Sequence, residues 1–189
     1  MKLVFATNNP NKLKEVQTKL SNYEIVSLIE MGITEDIPET GSTLDENALI
    51  KARYLYERYK TDCFADDTGL EIESLNNEPG VYSARYAGEE KSSDKNMDLV
   101  LSNLKGKENR KARFRTVVAL IQDGKETLME GIVEGKIIET KTGNDGFGYD
   151  PIFMPNGFDI TFAQMDMETK NRISHRGLAI DKLVEILNK

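Results

Sequence analysis

Apolar and polar positions follow two rhythms along this chain. Lys2-Leu3-Val4-Phe5-Ala6 is a short continuous apolar run and predicts a buried first strand. The polar run Thr7-Asn8-Asn9 follows at once, and Leu13, Val16 and Leu20 then recur at helical spacing, predicting a helix over 12–20. The first polar motif therefore falls on a strand-to-helix turn, where free backbone N–H groups and a positive helix end suit an anion. Leu44, Ala48, Ala52 and Leu55 form the strongest helical stripe, over 43–59, with Thr43 and Glu46 at capping-box spacing. A short strand is expected over 62–65, ending at Asp66-Asp67-Thr68-Gly69. Residues 93–104 read as a helix. Residues 112–123 and 126–138 read as long strands joined through Asp123-Gly124-Lys125, a hairpin signal. Residues 177–187 close the chain as an amphipathic helix. Strands interleaved with helices, plus a hairpin, predict an α/β fold with a mixed sheet, organised as one domain over 1–189 with a continuous core.

Composition narrows the class. Hydrophobic content of 39% and charged content of 30% describe a soluble globular protein. No apolar run approaches the roughly 18 residues of a membrane span, and residues 1–6 are too short for a signal sequence. The sole cysteine, Cys63, has no partner for an intramolecular disulfide, and a small buried hydrophobe in a reducing cytoplasm is the expectation. A net charge of −7 leaves no general attraction for nucleic acid and repels a triphosphate at long range. Any phosphate site must gather cations locally, and Lys12, Lys51, Arg85, Lys170 and Arg176 are the candidates near motifs. With no tryptophan, ring stacking falls to Phe or Tyr.

Candidate chemistry collects at a few places. Thr7, Asn8, Asn9 and Lys12 combine a hydroxyl, two amides and an ammonium suited to phosphate oxygens. Asn9-Pro10 also reads as an ordinary helix cap with proline at the first position. On the long helix, Lys51 stands one turn beyond Asn47, so both can face one side. Asp66-Asp67 is the strongest catalytic pair. Adjacent carboxylates project differently, so one can hold metal or structure while the other meets substrate. In Gly143-Asn144-Asp145-Gly146-Phe147-Gly148-Tyr149-Asp150-Pro151, Phe147 offers a flat face between glycines. Asp150, the only histidine, His175, and Arg176 could read the edge of a planar ring. There is no histidine pair, cysteine cluster or Gly-Lys-Ser/Thr loop, which disfavours zinc and P-loop chemistry.

Taken in order from about residue 3 to about residue 187, Thr7–Lys12, Ala65–Leu70, Gly80–Tyr86, Gly143–Pro151 and Ser174–Gly177 resemble the inosine triphosphate pyrophosphatase family. The resemblance implies hydrolysis of purine nucleoside triphosphates with deaminated bases (ITP, dITP and XTP) to the monophosphate and pyrophosphate, with Mg2+ as cofactor. It implies an elongated mixed β-sheet with flanking helices forming two lobes around a central cleft. A cytoplasmic homodimer with no nucleic-acid or membrane partner goes with it. By residue, it implies that Asp67 activates water and holds magnesium with Glu39. Thr7, Asn8, Asn9, Lys12 and Lys51 hold phosphates, Thr68 contacts substrate, and Phe147, Gly148, Tyr149, Asp150, Lys170, His175 and Arg176 form the base end. On sequence alone Glu35, Asp36 or Glu46 could stand in for Glu39. Arg85 either approaches substrate or orders its loop through a carboxylate. Donors from Arg176, His175 or backbone would bind a 6-carbonyl and be left unpaired by adenine, discrimination of about 10⁴-fold or more.

Overall fold

The computed structural model describes residues 2–188. Strand β1 (Lys2–Phe5) is buried along Leu3, Val4 and Phe5 and runs parallel to both β2 (Glu24–Ser27) and β3 (Cys63–Ile72). Helix α1 (Pro10–Lys19) begins two residues before the expected start at Lys12. Asn9 Oδ1 accepts the N–H groups of Asn11 and Lys12 at 2.9 and 3.2 Å, and Pro10 occupies the first turn, where its missing N–H costs nothing. Helix α2 (Leu44–Tyr59) is capped by Thr43, whose Oγ1 accepts the Glu46 N–H at 3.2 Å. The reciprocal half of the expected box is displaced: the Glu46 carboxylate takes the Ser42 N–H (2.6 Å) and hydroxyl (2.9 Å).

Helix α3 (Ser93–Asn103) leads to the hairpin of β5 (Lys111–Gln122) and β6 (Lys125–Ile137). Asp123 and Gly124 carry φ of 50° and 78°, the mirror-image turn that follows the twist of paired strands. The short β4 (Glu78–Gly80) pairs antiparallel with β3, and β7 (Phe153–Pro155) pairs antiparallel with β6. Helices α4 (Met167–Ile173) and α5 (His175–Leu187) complete the chain. The sheet order is β2-β1-β3-β5-β6-β7, with β4 on β3, so the fold is α/β with a mixed sheet.

One expectation is corrected. β3 does not end at Ala65; it continues through Asp66, Asp67, Thr68 and Gly69 to Ile72. Polar residues ordinarily stop a buried strand, but here each carboxylate is met by cations. Gly69 is not a turn residue either. A Cβ on it would come within 2.7 Å of the Gly80 carbonyl oxygen, so glycine is what lets β4 lie this close.

The chain divides into two compact units. The first comprises the described residues up to Asp67, Thr116–Gly131 and the chain from Arg176 onward. Its core gathers Leu3, Phe5, Val16, Phe64, Leu120 and Leu183, with Phe5 and Phe64 stacked at 4.5 Å. The second comprises Thr68–Arg115 and Ile132–His175, around Leu70, Ile72, Phe114, Phe153 and Phe162. No helix among the described residues is long and apolar enough to cross a membrane.

Candidate active site

Alternation along β3 sends Asp66 and Asp67 to opposite sides of the sheet, and they meet different partners. Asp66 accepts the Lys12 ammonium at 2.9 Å on one oxygen and Arg176 Nε at 3.0 Å on the other. Arg176 also donates to Glu15 through Nη1. Two cations and two anions thus neutralise one another in a set where Glu15, Asp66 and Arg176 are almost wholly buried. Burial by itself would raise the Asp66 pKa, but Lys12, Arg176 and Lys51 outweigh it and hold the carboxyl well below the usual carboxylate range. The Lys12 side chain, 16% exposed, is the end of this set that opens outward. Burial draws its pKa down against the pull of Asp66.

The turn before α1 is ordered by its own side chains. Thr7 Oγ1 accepts the Asn9 N–H at 3.1 Å, Asn9 caps the helix, and Asn8 donates to the Glu35 carbonyl at 3.3 Å. Asn9 therefore does what the ordinary helix-start reading describes, within a turn whose N–H groups still bound a helix end.

Asp67 belongs to a second cluster. Lys51 places its ammonium 3.6 Å from Asp67 and 2.5 Å from Glu39. Burial raises the Asp67 pKa, Lys51 and Lys12 pull it back, and Glu39 adds to the rise, so the group keeps an elevated proton affinity. Burial works against the Lys51 ammonium, but Asp67, Glu39 and Asp66 more than compensate and raise its pKa. The carboxylates left open by the sequence now separate. Glu35 accepts the Tyr54 hydroxyl at 2.7 Å, Glu46 serves Ser42, Asp36 is exposed, and Glu39 pairs with Lys51.

Among the described residues no cluster of three His, Cys, Asp or Glu side chains gathers to cage a metal. Two carboxylates sharing one ammonium nevertheless fit magnesium, which is commonly held by one or two carboxylates and keeps waters and substrate phosphates for the rest. Asn47, which the sequence reading left without a role, is fully buried and accepts the Gly41 N–H at 2.8 Å.

The second unit holds the aromatic cluster. Asp150 Oδ2 accepts the Phe147 N–H at 2.8 Å and the Lys170 ammonium at 2.6 Å. That ammonium lies 5.0 Å from the Phe147 ring centroid and 5.7 Å from that of Phe162, a cation over aromatic faces. Gly146 has φ of 75°, and a Cβ there would run into the Asp150 carboxylate, so glycine is required for the loop to fold back onto it. Phe147 and Gly148 are half-buried, whereas Tyr149 is buried and donates its hydroxyl to the Ser83 carbonyl at 2.6 Å. Burial pushes the Tyr149 hydroxyl pKa up.

His175 is buried and stacks on Phe114 at 4.5 Å. Ser83 in turn receives the Leu70 N–H on Oγ at 2.8 Å and donates to the Gly80 carbonyl at 2.6 Å. The Gly80–Arg85 segment thus supports Tyr149. Arg85 lies with its guanidinium 5.4 Å from the Tyr82 ring centroid, on a shallow open hollow of about 400 Å³.

The structure therefore gathers Thr7, Asn8, Asn9, Lys12, Glu39, Lys51, Asp67 and Arg176 in the first unit, and Thr68, Arg85, Phe147, Gly148, Tyr149, Asp150, Lys170 and His175 in the second. Arg176, expected at the base end, has its guanidinium engaged by Asp66 and Glu15.

The model of the Ham1 family matches residues 3–186. A Christiangramia forsetii protein named dITP/XTP pyrophosphatase is 55% identical over 190 residues, covering 100% of both chains. A Flavobacterium johnsoniae protein of the same name is 53% identical, covering 99% of this chain and 98% of its own. Among solved structures, a HAM1 protein from Coxiella burnetii superposes with a TM-score of 0.91 at 38% identity, covering 100% of this chain and 98% of that one. The Staphylococcus aureus Ham1 protein gives 0.90 at 39%, with the same coverage.

Proposed function

This chain belongs to the Ham1 family, and we propose that it hydrolyses ITP, dITP and XTP to the nucleoside monophosphate and pyrophosphate. The observation that carries the reading is the convergence of Glu39 and Asp67 on Lys51, beside the Lys12–Asp66 pair. Lys12 and Lys51 attract the triphosphate against the acidic background of the chain. Arg176 holds Asp66, which in turn holds Lys12, so its part is to orient a phosphate-binding cation.

Asp67 aligns a water and takes its proton as the water oxygen attacks the α-phosphorus and the α–β anhydride bond breaks. An elevated proton affinity suits that task. Glu39 and Asp67 would hold a magnesium ion, which when bound neutralises charge on the phosphates and the leaving pyrophosphate.

At the base end, Phe147 offers its ring face, and Lys170 and Asp150 supply a donor and an acceptor for the purine edge. Tyr149 and Gly148 fix the loop, and His175 packs behind it on Phe114. Thr68 contacts substrate at the end of the acidic pair, and Thr7, Asn8 and Asn9 form the turn that meets phosphate ahead of Lys12. Arg85 orders the segment that supports Tyr149. A cytoplasmic homodimer is part of the reading, to be checked by sedimentation. The functional test is pyrophosphate release from ITP, XTP, GTP, ATP, dUTP and TTP with magnesium at mildly alkaline pH. Release confined to ITP and XTP is expected; ITP that binds without turning over would overturn the reading.

A further inference from the structure

Asn47 sits one turn before Lys51 on α2, and none of the steps above uses it. Its Oδ1 accepts the Gly41 N–H at 2.8 Å, which fixes the orientation of the amide, because a backbone N–H must face the oxygen. Its Nδ2 is buried as well, and no acceptor completes a hydrogen bond with it. An open buried donor costs about 1–3 kcal/mol, so an apolar residue of this size would be the more stable choice if packing were the only demand. Lys51, one turn further along the same helix, places its ammonium 2.5 Å from Glu39 and 3.6 Å from Asp67. Asn47 therefore holds the loop two residues beyond Glu39 against the helix whose Lys51 meets both carboxylates.

We propose that Asn47 is a positioning residue that fixes the Glu39 loop on the helix carrying Lys51 and thereby sets the spacing of Glu39 from Asp67 for divalent-cation binding. The inference rests on the magnesium-dependent reading above. A cation shared by Glu39 and Asp67 competes with Lys51 for the same oxygens, so the Lys51 pairing weakens as the cation arrives. The neutral Asn47–Gly41 bond does not compete and keeps the loop in place. Gly41 belongs to the device. A Cβ there would lie 2.6 Å from the Glu46 Cβ and 2.8 Å from Asn47 Oδ1, so any side chain pushes the loop off the amide.

The test is Mn2+ binding by the full chain, followed by electron paramagnetic resonance with an ITP analogue carrying a methylene between the α- and β-phosphates, alongside Tm. Asn47→Ala is expected to weaken Mn2+ binding by about 10-fold or more, the usual cost of removing a group that orients a ligand. Gly41→Ala should weaken it in the same direction, by more than a variant of equal Tm loss elsewhere on the helix, and it carries the test if Asn47→Ala does not fold. Ala52→Gly, buried on the same helix, should lower Tm and leave Mn2+ affinity unchanged. Wild-type affinity in the Asn47 and Gly41 variants would overturn the inference alone, as would equal weakening in Ala52→Gly. A wild-type chain that binds no Mn2+ would overturn the functional reading and this inference with it.

Discussion

The Lys12–Asp66 and Lys170–Asp150 pairs have similar lengths, 2.9 and 2.6 Å, but very different surroundings. Asp66 belongs to a run of alternating charges, Glu15, Arg176, Asp66 and Lys12, with Lys51 near enough to act on it. Asp150 and Lys170 are enclosed by the faces of Phe147 and Phe162 and by a backbone N–H. The first region is tuned by charge and responds to whatever changes charge. The second is tuned by shape and responds to whatever changes a ring. A polyanion and a planar base ask for those two kinds of surface.

The largest effect should come from the charged side. Asp67→Asn is expected to lower turnover of ITP by about 10² to 10⁴ while leaving nucleotide binding largely intact, as removal of a general base does. Activity close to wild type would move that role to another group.

Asp66→Asn should cost about 3–5 kcal/mol of stability at pH 7, because it strips the shared carboxylate from two buried cations. The pH dependence has a definite sign. The folded pKa of Asp66 lies below the ordinary aspartate value of 3.8, so on acidification the unfolded chain takes up the proton first. The stabilisation is complete above that value and is lost as pH falls towards the folded pKa. The deficit of the variant, read from urea midpoints at pH 7, 5 and 3, should therefore shrink at the lowest pH. A deficit independent of pH would place the charge effect elsewhere.

On the aromatic side, Phe147→Ala should raise KM for ITP by roughly 5- to 150-fold, the equivalent of about 1–3 kcal/mol of base stacking. An unchanged KM would remove Phe147 from the ring-binding role. The smallest effect tests whether charge matters only where it is buried. Arg53 and Glu126 form a well-aligned but exposed pair at 2.6 and 2.7 Å, and Glu126→Ala should change stability by less than about 1 kcal/mol. A larger loss would blur the contrast between the two regions.

Long, periodic elements could be read directly from the chain. The stripe of Leu44, Ala48, Ala52 and Leu55 and the Asp123-Gly124 turn declare α2 and the β5–β6 hairpin because each imposes its own spacing. β2, β4 and β7 are too short to show a period, and their pairing comes from neighbours distant in sequence. α4 has only seven residues, although Asp166, which accepts the Thr169 N–H, marked its start for a reader looking for caps.

The extension of β3 through two aspartates was hidden because local polarity predicts a break, and the cations that reverse that prediction come from Lys12, Lys51 and Arg176. The candidate site divided the same way. Residue types were visible in the motifs, but the choice of Glu39 over Glu35 and Glu46 needed the hydrogen bonds that occupy the other two. Asn47 carried no signal of its own beyond its place one turn before Lys51.

The course of β3 also bears on how this sequence can change over generations. Successive strand residues point to opposite faces, so inserting or deleting one residue between Cys63 and Asp66 would turn each aspartate to the other face of the sheet and away from its partners while leaving the ladder able to form. Substitutions along the strand can be graded, but a change of length there is all or nothing. Descendants of this chain should accordingly vary in the identity of residues 63–65 and hold their number fixed.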